Sequence, residues 1–107
     1  MTTFDDRKHQ EEARFKHDQE LGFKVRNRRN KLFGLWIAQE KLGLESDAAS
    51  QYAKDVVLAD FEEPGDDDVI AKVTADLEAA NHSLSDHVLK KHLAEFERLA
   101  KEQVMSE

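Results

Sequence analysis

Five histidines, at positions 9, 17, 82, 87 and 92, are the side chains of this 107-residue chain best suited to metal binding or proton transfer, because it contains no cysteine. No two of them stand four apart with an acid between, the spacing that sets two imidazoles and a general base on one helix face in zinc proteases. Asp66, Asp67 and Asp68 begin like a calcium loop but lack its alternating ligands, its glycine at the sixth position and its glutamate at the twelfth. Such an acidic run suits the first turn of a helix, where the helix dipole favours negative charge. There is no glycine-rich phosphate loop, no serine at a nucleophile elbow and no thiol. The residue types therefore supply neither catalytic machinery nor a metal site, and a non-enzymatic role is expected.

The stretch RNRRNKLFGLWIA, Arg26 to Ala38, is the other place where chemistry could reside. It holds four of the sixteen basic side chains and the only tryptophan. The chain as a whole has a formal charge of −7, which argues against general nucleic-acid binding, because phosphate neutralisation needs a basic field. Yet residues 1–20 carry a net −2, residues 21–43 a net +5 and the rest a net −10. On a helix, Leu21, Val25, Leu32 and Trp36 share one side, and Arg28 and Arg29 interrupt that stripe. Buried arginine is costly unless paired, so the basic helix is expected to be neutralised by the chain's own carboxylates, such as Asp55, Asp60, Glu62, Asp76 or Glu95. The competing reading is a basic face for phosphates or an acidic protein, and a nucleic-acid accessory role through residues 24–31 is the least favoured.

The elements that would position these groups are helices. One proline, four glycines and 39% hydrophobic residues fit an all-α class with a single modest core. Gly43 is placed to end one helix, Ser46 to cap the next, Pro64 and Gly65 to stop it, Asp66 to cap a third, Asn81 to end it and Ser85 to cap a fourth. The apolar faces read Ala49, Tyr52, Ala53, Val56 and Val57; then Val69, Ile70, Val73, Leu77 and Ala80; then Val88, Leu89, Leu93, Phe96, Leu99, Ala100 and Val104. Short connections make neighbours antiparallel, giving a four-helix bundle over residues 21–107. The N-terminus lacks a secretory signal and no window approaches about 18 apolar residues, so a soluble cytoplasmic chain without membrane insertion, monomeric when free, is expected.

Residues 1–20 differ in kind. They carry ten formal charges and only Met1, Phe4, Ala13 and Phe15 as apolar side chains, too little to bury. Thr2 or Thr3 can cap a helix with Asp5 and Asp6 in its first turn. Eleven steps of about 100° bring Phe15 nearly back over Phe4, so such a helix would show a narrow stripe with an aromatic at each end. Alone it is marginal, and this segment reads as a mobile, partly helical arm, either frayed or folding on a partner.

MTTFDDR at the start, HDQEL at 17–21, RRNKLFGLW at 28–36, EKLGL at 40–44, AKDVVLADFEEPGDDDV at 53–69 and SDH at 85–87 together resemble the zeta subunit family of alphaproteobacterial rotary F-type ATP synthases. The resemblance runs over essentially the whole chain. It implies a small bacterial inhibitor, a four-helix domain with a mobile arm, that blocks ATP hydrolysis when the arm orders as a helix between catalytic alpha and beta subunits near the gamma shaft. The protein would then be cytoplasmic and peripheral to the inner membrane when bound. Phe4, Asp5, Asp6, Arg7, Phe15 and His17 match the family's N-terminal pattern and are the expected contacts. Glu11 departs from it, standing where relatives often carry a second aromatic, and weak inhibition, or inhibition with help from the globular part, is expected. RRNKLFGLW would belong to the globular domain, with Trp36 in the core. The family is also associated with adenine nucleotides, so ADP or ATP binding to the bundle through Arg28, Arg29 and Lys31 is the alternative function; no other cofactor is implied.

Overall fold

The computed structural model describes residues 3–62 and 66–107, with side chains from 19 to 60 and from 66 to 107. It is all-α: α1 (Thr3–Trp36), α2 (Ser46–Glu62), α3 (Asp66–Ala79) and α4 (Asp86–Met105), with α1 continuing into a π-helical turn, Ile37–Lys41. No strand occurs among the described residues.

Most helix ends follow from local chemistry. The Ser85 hydroxyl accepts from the Val88 amide at 3.2 Å and so caps α4. Asn81 is left-handed at φ 63°, and the amides of His82 and Asn81 donate back to the carbonyls of Leu77 at 2.8 Å and Glu78 at 3.0 Å. That pair of bonds closes α3 as a Schellman turn. Gly43, at φ 68°, performs the same reversal after α1. There the helix has first widened, because the Leu42 amide donates five residues back, to Ile37 O at 3.0 Å, and the Leu44 amide six residues back, to Ala38 O at 2.8 Å, where four is usual. Ser46 departs from expectation. A hydroxyl cap needs extended backbone, whereas Ser46 is left-handed at φ 51°, and the first turn of α2 closes on the Glu45 carbonyl from the Ala48 and Ala49 amides at 3.1 and 3.4 Å.

α1 lies between α2 and α4 and runs antiparallel to both. Gly34 faces Ala53 and Val56 while Asn30 reaches Asp60; Trp36 stacks on His92 while Arg28 reaches Gln103. α3 packs mainly on α2. A Cβ added to Gly34 would lie 2.9 Å from the Ala53 Cα, so only glycine permits this approach of the two backbones. The molecule measures 66 × 25 × 22 Å. Its length comes from α1, whose 34 residues span about 50 Å.

The main core joins Phe33, Ile37 and Ala38 to Ala49, Tyr52 and Val56 of α2, Val69, Ile70, Val73 and Leu77 of α3, and Leu89 and Leu93 of α4. The expected faces of α2, α3 and α4 are the buried ones, except that Val57, Val88 and Phe96 are half-buried and Ala80 and Leu99 are exposed. In α1 the seam is displaced by one residue. It runs through Val25, Arg29, Phe33 and Ile37, while Leu32 and Trp36 are half-buried at its edge. Two neighbouring helices clasp α1, so it must bury a wider arc than a single stripe. Trp36 accordingly sits on the rim, packed between Phe33 and Phe96, with its ring 4.2 Å from that of His92 and the Lys41 ammonium 5.6 Å from its centroid.

A smaller cluster, Val25, Ala100 and Val104 with Leu21 and Leu32 against it, lies toward the other end of α1. Leu21 is the first described side chain to pack. α1 does not pause at the expected boundary after residue 20, and Gln19 and Glu20 are exposed.

Candidate functional site

Between the two apolar clusters, α1 presents polar side chains inward. Arg29 is 4% exposed and Asn30 is fully buried, an arrangement that requires partners for every polar atom. Arg26 donates from Nε to Asp60 Oδ2 at 2.5 Å and from Nη2 to Oδ1 at 2.8 Å, a bidentate pair. Asn30 Nδ2 donates to the same Oδ2 at 3.0 Å, while its Oδ1 accepts from Arg29 Nε and Nη2 at 3.1 and 3.0 Å. The remaining Arg29 nitrogen, Nη1, lies 3.0 Å from Asp66 and 3.6 Å from Glu97. One connected layer thus spans Asp60 of α2, Asp66 of α3, Glu97 of α4 and three residues of α1. Its bond to Asp60 raises the Arg26 guanidinium above its ordinary range despite the opposing effect of burial.

The internal neutralisation read from the sequence is what these arginines show, though with partners that are only partly those expected. Asp60 is one of the carboxylates expected from the sequence; Asp66 and Glu97 are not. Asp55 instead accepts from Gln51, Asp76 from Tyr52 and Lys72, and Glu95 lies beside His92. The side chain of Glu62 lies outside the described residues. Asn30, which joins the two halves of the layer, was missed. An amide beside an arginine in an otherwise apolar seam was the available signal.

Of the nucleotide candidates, Arg28 donates to Gln103 Oε1 at 3.0 Å and pairs with Glu107, Arg29 is held in the layer, and Lys31 is exposed. A cleft of about 330 Å³ beside Arg29 is lined by Asp66, Asp67, Lys90 and Glu97 among others, so an entering phosphate would meet three carboxylates and two cations. No group of three His, Asp or Glu side chains among the described residues could hold a metal ion. No helix there is long and apolar enough to cross a membrane. The side chains of Phe4, Asp5, Asp6, Arg7, Glu11, Phe15 and His17 lie outside the described residues.

A second polar contact ties α2 to α3. The Tyr52 hydroxyl donates to Asp76 Oδ2 at 2.8 Å, and Lys72 Nζ lies 3.1 Å from the same oxygen. Burial, and then the Asp76 carboxylate, push the phenol well above its usual value near 10. The folded state therefore binds this proton more tightly than the unfolded chain. The resulting stability is fully present below about pH 10 and is lost as pH rises above it, at up to about 1.4 kcal/mol per pH unit. Tyr52→Phe is expected to lose about 1 kcal/mol at pH 7 and to show a shallower alkaline decline. Urea midpoints of both proteins at pH 8 and pH 11 measure this, and parallel declines would show that Tyr52 ionises freely in the folded state.

A family model described as ATPase inhibitor subunit zeta matches residues 1–103. No curated protein and no solved structure matches the chain.

Proposed function

The chain belongs to the ATPase inhibitor subunit zeta family, and from that membership we propose that it restrains ATP hydrolysis by an F-type ATP synthase by seating its N-terminal segment, residues 1–20, between catalytic alpha and beta subunits beside the gamma shaft. The observation that carries this reading is the continuity of α1. Thr3–Trp36 is one helix, so a segment with almost nothing apolar of its own to bury is joined in line to the best-packed helix of the bundle. Held at its base by the bundle, such a helix can act as a wedge that obstructs rotation in the hydrolysing direction.

In this reading the role is regulatory and non-catalytic. Phe4 and Phe15 are the apolar anchors, and Asp5, Asp6, Arg7 and His17 supply polar contacts around them. The bundle remains outside on the catalytic head, which places the protein peripheral to the membrane that carries the synthase.

Position 11 lies seven residues after Phe4 and four before Phe15, and at about 100° per residue all three fall on one stripe. Glu11 therefore places a charge where an apolar anchor belongs, and inhibition is expected to be weak. Titrating ATP hydrolysis by the cognate synthase with the native chain and with Glu11→Phe tests this. The variant should inhibit at a concentration lower by about ten- to one-hundred-fold, the worth of one buried aromatic at roughly 1.5–3 kcal/mol. Equal potency would remove residue 11 from the interface. A native chain that leaves hydrolysis untouched at saturation would overturn the reading itself.

A further inference from the structure

The two glycines of α1 have opposite surroundings. Gly34 is required by packing, since any Cβ would press on the Ala53 backbone. Gly22 is exposed, sits within continuous helix, and a Cβ built on it would meet nothing within 4 Å. Neither close approach nor a positive φ calls for glycine there. A glycine inside a helix lowers the local helix equilibrium by about five-fold relative to alanine, because it loses more backbone freedom on folding. The weakness falls where α1 enters the bundle: Gln19 and Glu20 are exposed, Leu21 is half-buried against the smaller cluster, and Val25 is the first buried side chain among the described residues.

We propose that Gly22 is a built-in opening point of α1, at which the helix before it can leave the bundle axis, with Leu21 as the latch that holds it in line, and that this opening limits the strength of inhibition. The inference rests on the inhibitory reading of residues 1–20, in which the bound form is the straight helix. Each opening then withdraws the chain from its binding-competent state. Alanine at position 22 removes part of that loss without touching a neighbour.

Helical amides of residues 22–25 donate to carbonyls four residues earlier, so opening at Gly22 exposes them before any other part of the packed helix. The test is amide hydrogen exchange of the free full-length protein, run beside the hydrolysis titration, for the native chain, Gly22→Ala and Leu21→Ala. Gly22→Ala should slow exchange at residues 22–25 by about five-fold and lower the half-inhibitory concentration by a similar factor. Leu21→Ala should speed the same exchange and raise that concentration. Unchanged exchange at 22–25 in Gly22→Ala would overturn the proposal, and so would slowed exchange with no gain in potency. A native chain that does not inhibit would overturn the inhibitory reading and its link to potency, while the exchange rates would still decide whether Gly22 is the opening point.

Discussion

Deletion of residues 1–18 is expected to abolish inhibition of ATP hydrolysis while leaving the bundle folded. Phe4 and Phe15 each contribute roughly 1.5–3 kcal/mol if fully buried at the interface, so the half-inhibitory concentration should rise by at least about 100-fold. The fold should not notice. Among the described residues no buried side chain precedes Val25, and the packing of α1 begins at Leu21. Unfolding in urea, followed through Trp36 on the rim of the core, is expected to shift by less than about 1 kcal/mol. Undiminished inhibition by the truncated chain would move the inhibitory surface onto the bundle. Loss of inhibition together with loss of the cooperative transition would mean that the first half of α1 is needed for folding, and the truncation would then say nothing about contacts.

Asp60→Ala is expected to be the most destabilising change in the polar layer. The Asp60 side chain is 8% exposed and accepts from Arg26 twice and from Asn30 once. Without it, the fully buried Asn30 amide loses its acceptor, and the residue that orients Arg29 is no longer held. Arg26 is 38% exposed and can recover water, so the penalty is concentrated on Asn30 and falls at about 2–4 kcal/mol, below the full cost of an unpaired buried charge. For a domain of this size that is a loss of roughly 10–25 °C in the unfolding temperature. Arg28→Ala provides the contrast, because its partners Gln103 and Glu107 lie toward the surface and an exposed pair is worth about 0–1 kcal/mol. If Asp60→Ala stayed within about 0.5 kcal/mol of the native protein, the layer would be an ornament of the surface electrostatics and not a structural joint.

How much could be read in advance depended on how local the cause was. Ser85 and Asn81 end or begin helices through bonds to residues within five positions, and both were legible from residue type alone. Ser46 had the right side chain but the wrong backbone, and a φ of 51° is set by the turn that precedes it. The seam of α1 was displaced by one residue because helical periodicity assumes one neighbour and α1 has two. The need to pair the arginines was evident from charge and spacing. Asp66 and Glu97 as the partners of Arg29 were not, because they are fixed by how α3 and α4 are set against α1. The reading of residues 1–20 came from composition and from the resemblance of segments in order, and the family match from residue 1 to 103 agrees with that order.

The polar layer has one more consequence, for distance. If α1 slid by one turn, about 5.4 Å, in the groove between α2 and α4, Arg29 would take the place of Val25 or Phe33 and its guanidinium would enter an apolar cluster, away from Asp66 and Glu97. The cost of that misplaced charge forbids the slip. Arg29 is therefore an index mark that sets where α1 stops along its groove. Because the N-terminal segment is the same helix, the mark also gauges how far that segment projects beyond the bundle; on the proposed inhibitory reading, the depth to which it inserts would be set by a salt link well behind its tip.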